Sequence, residues 1–191
     1  MELEGAIQGN LIITVDDEST ITVDNLKIAQ FIYLLLNNAE IREVIDTIGS
    51  KVVLILGRFT PECKAVLDAI RDELRKRNYS PVLFDFEKPV SRDLTETIST
   101  LAHMARFVIA DITDAKSIPQ ELSVIVPDLP SVPVQTLLLS SQREYVMFEH
   151  FTKFPWVLPV YYYTDEVSLL QSLKEHVIEP AEQKAQELAK R

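Results

Sequence analysis

Glycine is scarce in this sequence, and the spacing of the few glycines excludes two common nucleotide-binding loops. The 191 residues contain four glycines, at positions 5, 9, 49 and 57. Neither the G-x-G-x-x-G motif of dinucleotide-binding proteins nor the G-x-x-x-x-G-K-[ST] motif of P-loop NTPases can be built from these positions. The sequence therefore excludes a dinucleotide-binding fold of the usual oxidoreductase kind and a P-loop NTPase.

Cysteine and histidine are also scarce, which limits disulfides and metal sites. Cys63 is the sole cysteine, so an internal disulfide cannot form, and this fits a reducing cytoplasm. The three histidines, His103, His150 and His176, lie far apart and lack the spacing of zinc ligands. We therefore expect a cytoplasmic protein with neither a metal site nor a bound cofactor.

The chain has no excess of positive charge and no long apolar segment. Nineteen lysines and arginines stand against 29 aspartates and glutamates, a formal net charge of −10 that repels nucleic-acid phosphates. The longest apolar run near the N-terminus covers only residues 31–36, and the first residues are acidic, so neither a signal peptide nor a membrane span is indicated. We expect no nucleic-acid partner and no membrane partner.

From Lys51 onward, short apolar runs alternate regularly with helical patterns. Strands are predicted at residues 52–56, 81–84, 107–110, 132–139 and 156–162, and the last helix at about 166–190. Thr60 followed by Pro61 is a typical helix start. Such alternation implies right-handed crossovers and a parallel sheet. We predict that residues 51–191 form a flavodoxin-like, doubly wound α/β domain of about five parallel strands in the order 2-1-3-4-5.

The first fifty residues have a different pattern. Residues 11–15 and 20–23 are predicted to pair as a hairpin, and residues 25–37 to form a helix with Asp24 as its N-cap. We predict that residues 1–50 form a small α+β extension, a hairpin plus helices, attached to the main domain.

In open α/β sheets, ligands bind beyond the carboxyl ends of the strands. Carboxylates dominate the residues that the predicted fold delivers there, together with an arginine, an aromatic ring and a hydroxyl. The candidate site residues are Arg58, Phe59, Asp85, Glu87, Asp111, Asp114, Ser117 and Glu121. Such a set suits a sugar or a nucleoside better than a polyphosphate.

Several candidates have two interpretations. Glu121 beside an anomeric carbon could stabilise an oxocarbenium-like transition state or attack it, but the helix macrodipole alone also favours a glutamate in a first helical turn. Asp111 could hold a ribose hydroxyl, or it could end a strand and cap the turn. Arg58 could bind a phosphate or lie on the surface. Cys63 falls on the apolar face of its helix, which predicts a core residue.

Residues 84–122, FDFEKPVSRDLTETISTLAHMARFVIADITDAKSIPQEL, carry a resemblance to a known family. They resemble the middle of a TIR (Toll/interleukin-1 receptor) domain, in which an apolar strand and a loop lead to a helix that starts with a W-x-x-E-L-like pattern. Ile118, Glu121 and Leu122 occupy that pattern here. The segment FVIADITDAKSIPQEL is also similar to nucleoside 2-deoxyribosyltransferases, which share the flavodoxin-like topology.

The resemblance implies two alternative functions. Enzymatic TIR domains cleave the N-glycosidic bond of NAD through a glutamate at the position that Glu121 matches, so the chain would be a nucleotide N-glycosidase, an NAD+ nucleosidase, in bacterial signalling or defence. Glu121 would be catalytic, and NAD would be the substrate. Other TIR domains are non-catalytic modules that transmit a signal by self-association or by binding a partner protein.

Overall fold

The computed structural model describes residues 11–12, 22–23, 25–85, 92–113, 122–123, 126–142 and 148–190. The chain divides into two compact units, Met1–Thr47 and Ile48–Arg191. The described strands are β1 (Leu11–Ile12), β2 (Thr22–Val23), β3 (Val52–Gly57), β4 (Ser80–Asp85), β5 (Phe107–Asp111), β6 (Val134–Leu139) and β7 (Tyr161–Tyr163). The described helices are α1 (Leu26–Asn37), α2 (Ala39–Lys51), α3 (Pro61–Lys76), α4 (Arg92–Met104), α5 (Phe148–Phe151), α6 (Glu166–Leu173) and α7 (Glu179–Leu188), with a 3-10 turn at Val126–Asp128 and a π-helical turn at Lys174–Ile178.

The first unit contains a pair of two-residue strands and a helix. Strands β1 and β2 pair antiparallel. Helix α1 begins at Leu26, and its N-cap is Asn25, whose side-chain oxygen accepts hydrogen bonds from the amides of Lys27 and Ile28. The prediction of Asp24 as the cap is wrong by one residue, because asparagine caps a helix as well as aspartate does and the helix starts directly after it.

The second unit is built on a sheet of five parallel strands in the order β4-β3-β5-β6-β7. This confirms the predicted order. Helices α3, α6 and α7 pack on one face, through an apolar cluster that includes Leu67, Leu169 and Ala181. Helix α4 packs on the other face, through a cluster that includes Ile98 and Ala102. The carboxyl ends of all five strands therefore meet at one edge of the sheet.

Two elements near the C-terminus differ from the prediction. The fifth strand is shorter than expected, because before Tyr161 the backbone pairs with the backbone of β6 only at an isolated bridge between Val157 and Val134. The last helix is not regular throughout, since a π-helical turn separates α6 from α7. Pro180 follows that turn and has no N–H to donate to the carbonyl four residues earlier, so the wider turn accommodates a break in the α-helical hydrogen bonds.

Gly57 is the last residue of β3, and Leu67 of α3 packs closely against it. Because a larger residue has no room here, Gly57→Ala is expected to destabilise the protein by about 1–3 kcal/mol. A Cβ atom at this position would lie 2.8 Å from Cδ1 of Leu67. Leu67 is fully buried in the core, so its side chain has little room to move away. The free energy of unfolding, measured in urea, tests the prediction.

Gly49 provides the matched control. It lies in α2, and a Cβ atom there would have no neighbour within 4 Å. Gly49→Ala is expected to stabilise the protein by about 0.5–1 kcal/mol, because alanine loses less backbone entropy than glycine on entering a helix. Equal effects of the two substitutions would show that close packing does not require glycine at position 57.

Candidate functional site

A cavity of about 390 Å³ opens at the carboxyl edge of the sheet, between the first turns of α3 and α6. Its apolar lining consists of Cys63, Val66 and Leu139, and its polar lining consists of Thr60, Glu62, Thr113, Gln142, Tyr163, Asp165 and Glu166. From β3 the chain crosses over to β4, towards one end of the sheet, and from β5 it crosses over to β6, towards the opposite end. The cavity therefore lies beside the topological switch point, where ligands of doubly wound folds usually bind.

The deepest part of the cavity is formed by a buried hydrogen-bonded network. Asp111, at the end of β5, accepts hydrogen bonds from the amide of Thr113 (2.9 Å) and from the hydroxyl of Tyr163 (2.9 Å). The hydroxyl of Thr113 accepts a hydrogen bond from the amide of Leu139 (3.0 Å) and lies 3.1 Å from the hydroxyl of Tyr163. The network thus joins the ends of β5, β6 and β7.

Burial sets the protonation of this network. Asp111 is 2% exposed and Tyr163 is 4% exposed. Burial raises the pKa of the Asp111 carboxyl above 3.8, although the hydrogen bonds from Thr113 and Tyr163 oppose the shift. Burial, followed by the charge of Asp111, raises the pKa of Tyr163 well above 10, so its hydroxyl keeps its proton and remains a donor to Asp111.

The two helix starts at the cavity have their own side-chain caps. Thr60 accepts a hydrogen bond from the amide of Cys63 at the start of α3, as the sequence predicted. Asp165 accepts one from the amide of Ser168 at the start of α6, within a capping box. Because these caps occupy amides that an anion would otherwise bind, the positive ends of the two helices are partly neutralised.

The predicted site residues are divided among several places. Asp111 reaches the cavity only through Thr113 and Tyr163, because both its oxygens bond to these residues and the side chain is buried. Arg58 is half-buried, and Phe59 packs against the apolar cluster on the α3 face with the ammonium of Lys64 5.7 Å from its ring centroid. Neither residue lines the cavity.

The remaining predicted side chains lie outside the described part of the structure. Asp85 ends β4, but its side chain lies outside the described part of the structure. Glu87, Asp114, Ser117 and Glu121 all lie outside the described residues. Their roles in catalysis and binding stay predictions.

The ten described residues that line the cavity include none of the eight candidate site residues, and Cys63, Tyr163 and Thr113 illustrate why. Cys63, expected in the core, is half-buried and lines the cavity. Its placement follows from the helix start, since the Thr60 cap puts position 63 in the first turn beside the strand ends. The alternation of faces in β7 separates the tyrosines at this strand end, since Tyr162 is half exposed and Tyr163 is buried. No comparable signal identified Thr113.

Asp111→Asn is expected to make the protein more stable than the wild type at neutral pH and to lose this advantage as the pH falls towards 4. The raised pKa of Asp111 means that the native state binds the proton more tightly than the unfolded chain does. Wild-type stability therefore falls as the pH rises from about 4 through the folded-state pKa. Asparagine keeps an acceptor for the Thr113 amide. Urea unfolding of both proteins at a series of pH values tests this, and a difference that does not change with pH would contradict it.

Among the described residues, no group of three or more histidine, cysteine, aspartate or glutamate side chains converges to hold a metal ion. None of the described helices is long and apolar enough to cross a bilayer. No protein-family model matches the chain, and no curated protein is significantly similar to it.

Proposed function

We propose that the protein binds a nucleotide at the carboxyl edge of its sheet and hydrolyses the N-glycosidic bond, with NAD as the preferred substrate and Glu121 as the catalytic carboxylate. The observation that carries this proposal is the cavity of about 390 Å³ beside the switch point, lined by carboxylates, hydroxyls and a few apolar side chains. This size and mixed lining suit a small polar ligand with a flat ring, such as a nucleoside or the nucleoside half of a nucleotide.

The proposed chemistry needs a carboxylate close to the anomeric carbon of the ribose. The bond from that carbon to the ring nitrogen breaks, and both electrons leave with the neutral nicotinamide. A carboxylate stabilises the developing oxocarbenium ion or bonds to it transiently. Water then bonds to the anomeric carbon and releases a proton, giving ADP-ribose.

The elements on either side of Glu121 in sequence support its assignment. Strand β5 ends at Asp111, within the network at the bottom of the cavity. Leu122, the residue after Glu121, is helical and buried in the apolar cluster on the α4 face. In open α/β sheets, the segment that leads from a strand end into the next helix usually carries the ligand-binding groups.

Incubation with NAD tests the proposal. We expect the purified protein to release nicotinamide and ADP-ribose in a ratio of one to one, as measured by chromatography. A series of protein concentrations is needed, because an enzyme that acts as an assembly would show a specific activity that rises with concentration. Absence of cleavage of NAD and of related nucleotides at every concentration would contradict the enzymatic function and favour the non-catalytic interaction module.

A further inference from the structure

We infer that the cavity between α3 and α6 takes the uncharged or cationic heterocycle of a nucleoside and excludes phosphate groups. The choice of a nucleoside as the ligand rests on the proposed function. The exclusion of phosphate rests on the charges and hydrogen bonds of the cavity itself. For NAD, the pyridinium ring would enter the cavity and the diphosphate would remain outside.

The charge at the mouth of the cavity is negative. Glu62, Asp165 and Glu166 line it and are exposed. Of the residues that the structure describes, no lysine, arginine or histidine lines the cavity. Lys64 lies in the same helical turn, but its ammonium is paired with Asp68 and lies over the ring of Phe59. Among the described residues, a phosphate would therefore approach three carboxylates without a neutralising cation.

Capping side chains occupy amides at both helix starts that could otherwise compensate for this charge. Anions often bind at helix starts through unpaired N–H groups. At the start of α3, Pro61 has no N–H and the amide of Cys63 donates to the hydroxyl of Thr60. At the start of α6, the amide of Ser168 donates to the carboxylate of Asp165. These capped starts differ from the open amide loops that hold phosphates.

The interior of the cavity suits a flat heterocycle. Val66, Leu139 and the thiol of Cys63 provide apolar surface that can contact a ring face. The hydroxyls of Thr113 and Tyr163 form a neutral polar bottom, since burial keeps Tyr163 protonated. A cationic ring gains further from the three carboxylates at the mouth, whose oxygens can also accept hydrogen bonds from ribose hydroxyls.

Cys63 allows occupancy to be measured without any turnover. It is the sole cysteine and lines the cavity, so alkylation by iodoacetamide reports on that space alone. We expect nicotinamide riboside at about ten times its Kd to slow alkylation about tenfold, and adenosine to slow it to a lesser degree. Inorganic pyrophosphate should leave the rate unchanged. The wild-type chain is compared with Cys63→Ser, in which no labelling should occur.

A second measurement covers the case in which the thiol reacts too slowly to follow. Nicotinamide riboside should then shift the backbone amide resonances of Thr113 and Leu139 in a titration, whereas pyrophosphate should not. The inference is overturned if pyrophosphate protects the thiol or shifts these amides as strongly as the riboside does. It is equally overturned if the riboside has neither effect at saturating concentration.

Charge reversal at the mouth provides a matched test. The double variant Glu62→Lys with Glu166→Lys should bind nicotinamide riboside about tenfold or more weakly, because two attractive charges become repulsive. Pyrophosphate should now compete for the same cavity. Glu175→Lys, about two and a half helical turns beyond Glu166, is the control and should bind like the wild type. Unchanged riboside binding in the double variant would contradict the inference.

The outcomes separate this inference from the proposed function. If nicotinamide riboside protects Cys63 but NAD is not cleaved, the cavity binds a heterocycle and the proposed enzymatic activity is wrong. If NAD is cleaved but pyrophosphate protects Cys63 better than the riboside does, the activity stands and the inference about the cavity is wrong.

Discussion

Glu121→Gln is expected to lower the rate of nicotinamide release from NAD by about 100-fold or more. Glutamine keeps the size and hydrogen-bonding capacity of the side chain but loses the negative charge that stabilises the oxocarbenium ion. Since that ion develops only in the transition state, the turnover number should fall while substrate binding changes little. Initial rates at a series of NAD concentrations separate the two effects.

The control for this substitution is Glu175→Gln, which removes one carboxylate from an exposed position in the C-terminal helical segment. Both variants should unfold within about 0.5 kcal/mol of the wild type. Glu175→Gln should also retain wild-type turnover. If Glu121→Gln retained wild-type turnover as well, a catalytic role for Glu121 would be excluded. The helix macrodipole alone would then explain why a glutamate occupies this position.

Thr113→Val is expected to lower the free energy of unfolding by about 1–3 kcal/mol. The substitution keeps the branched shape of the side chain but removes its hydroxyl. Thr113 is only 6% exposed, and its hydroxyl takes part in the buried network. The amide of Leu139 would lose its acceptor, and the hydroxyl of Tyr163 would lose one of its two partners in the network. A buried donor without a partner is destabilising because it has given up its bonds to water.

The same substitution at Thr136 is expected to have the opposite result. Thr136 in β6 is fully buried, and its hydroxyl has no hydrogen-bond partner among the described residues. Thr136→Val should leave stability unchanged or raise it by up to about 1 kcal/mol, since valine removes a polar group that gains nothing from burial. Urea unfolding of the two variants tests the pair, and an equal loss of stability in both would show that the network around Thr113 contributes nothing specific.

The fold could be predicted from the sequence because its signals are local. Strands β3 and β5 are almost continuous apolar runs, as expected for strands buried on both faces, and all five residues of β5 are buried. The start of α3 is marked by Thr60 as the N-cap and Pro61 as the first helical residue. Regular alternation of such elements leaves few ways to pack them, so the strand order followed from the handedness of the crossovers.

The candidate site could be predicted only in its location. The sequence predicted candidate ligand-binding groups at the carboxyl ends of the strands, because every parallel strand ends at that edge. It did not determine which side chains meet there. Asp111 and Tyr163 are 52 residues apart in sequence, and their hydrogen bond reaches across the end of β6. Such pairs depend on how far each strand extends and where the flanking helices begin.

Cys63 and Asp111 show the same division between sequence and tertiary structure. An apolar face at helical spacing predicted Cys63 as a core residue, but Cys63 lies in the first turn of α3, where it is half-buried and lines a cavity. Asp111 was a candidate for direct ligand contact because its carboxylate ends a strand, but the residue is buried and bonded to Tyr163 of β7.

The sequence by itself determined the strands, their order and the edge where they end, since hydrophobic period and crossover handedness are properties of short segments. Only the tertiary structure decided which side chains face the cavity, because burial and hydrogen-bond partners depend on segments that are distant along the chain.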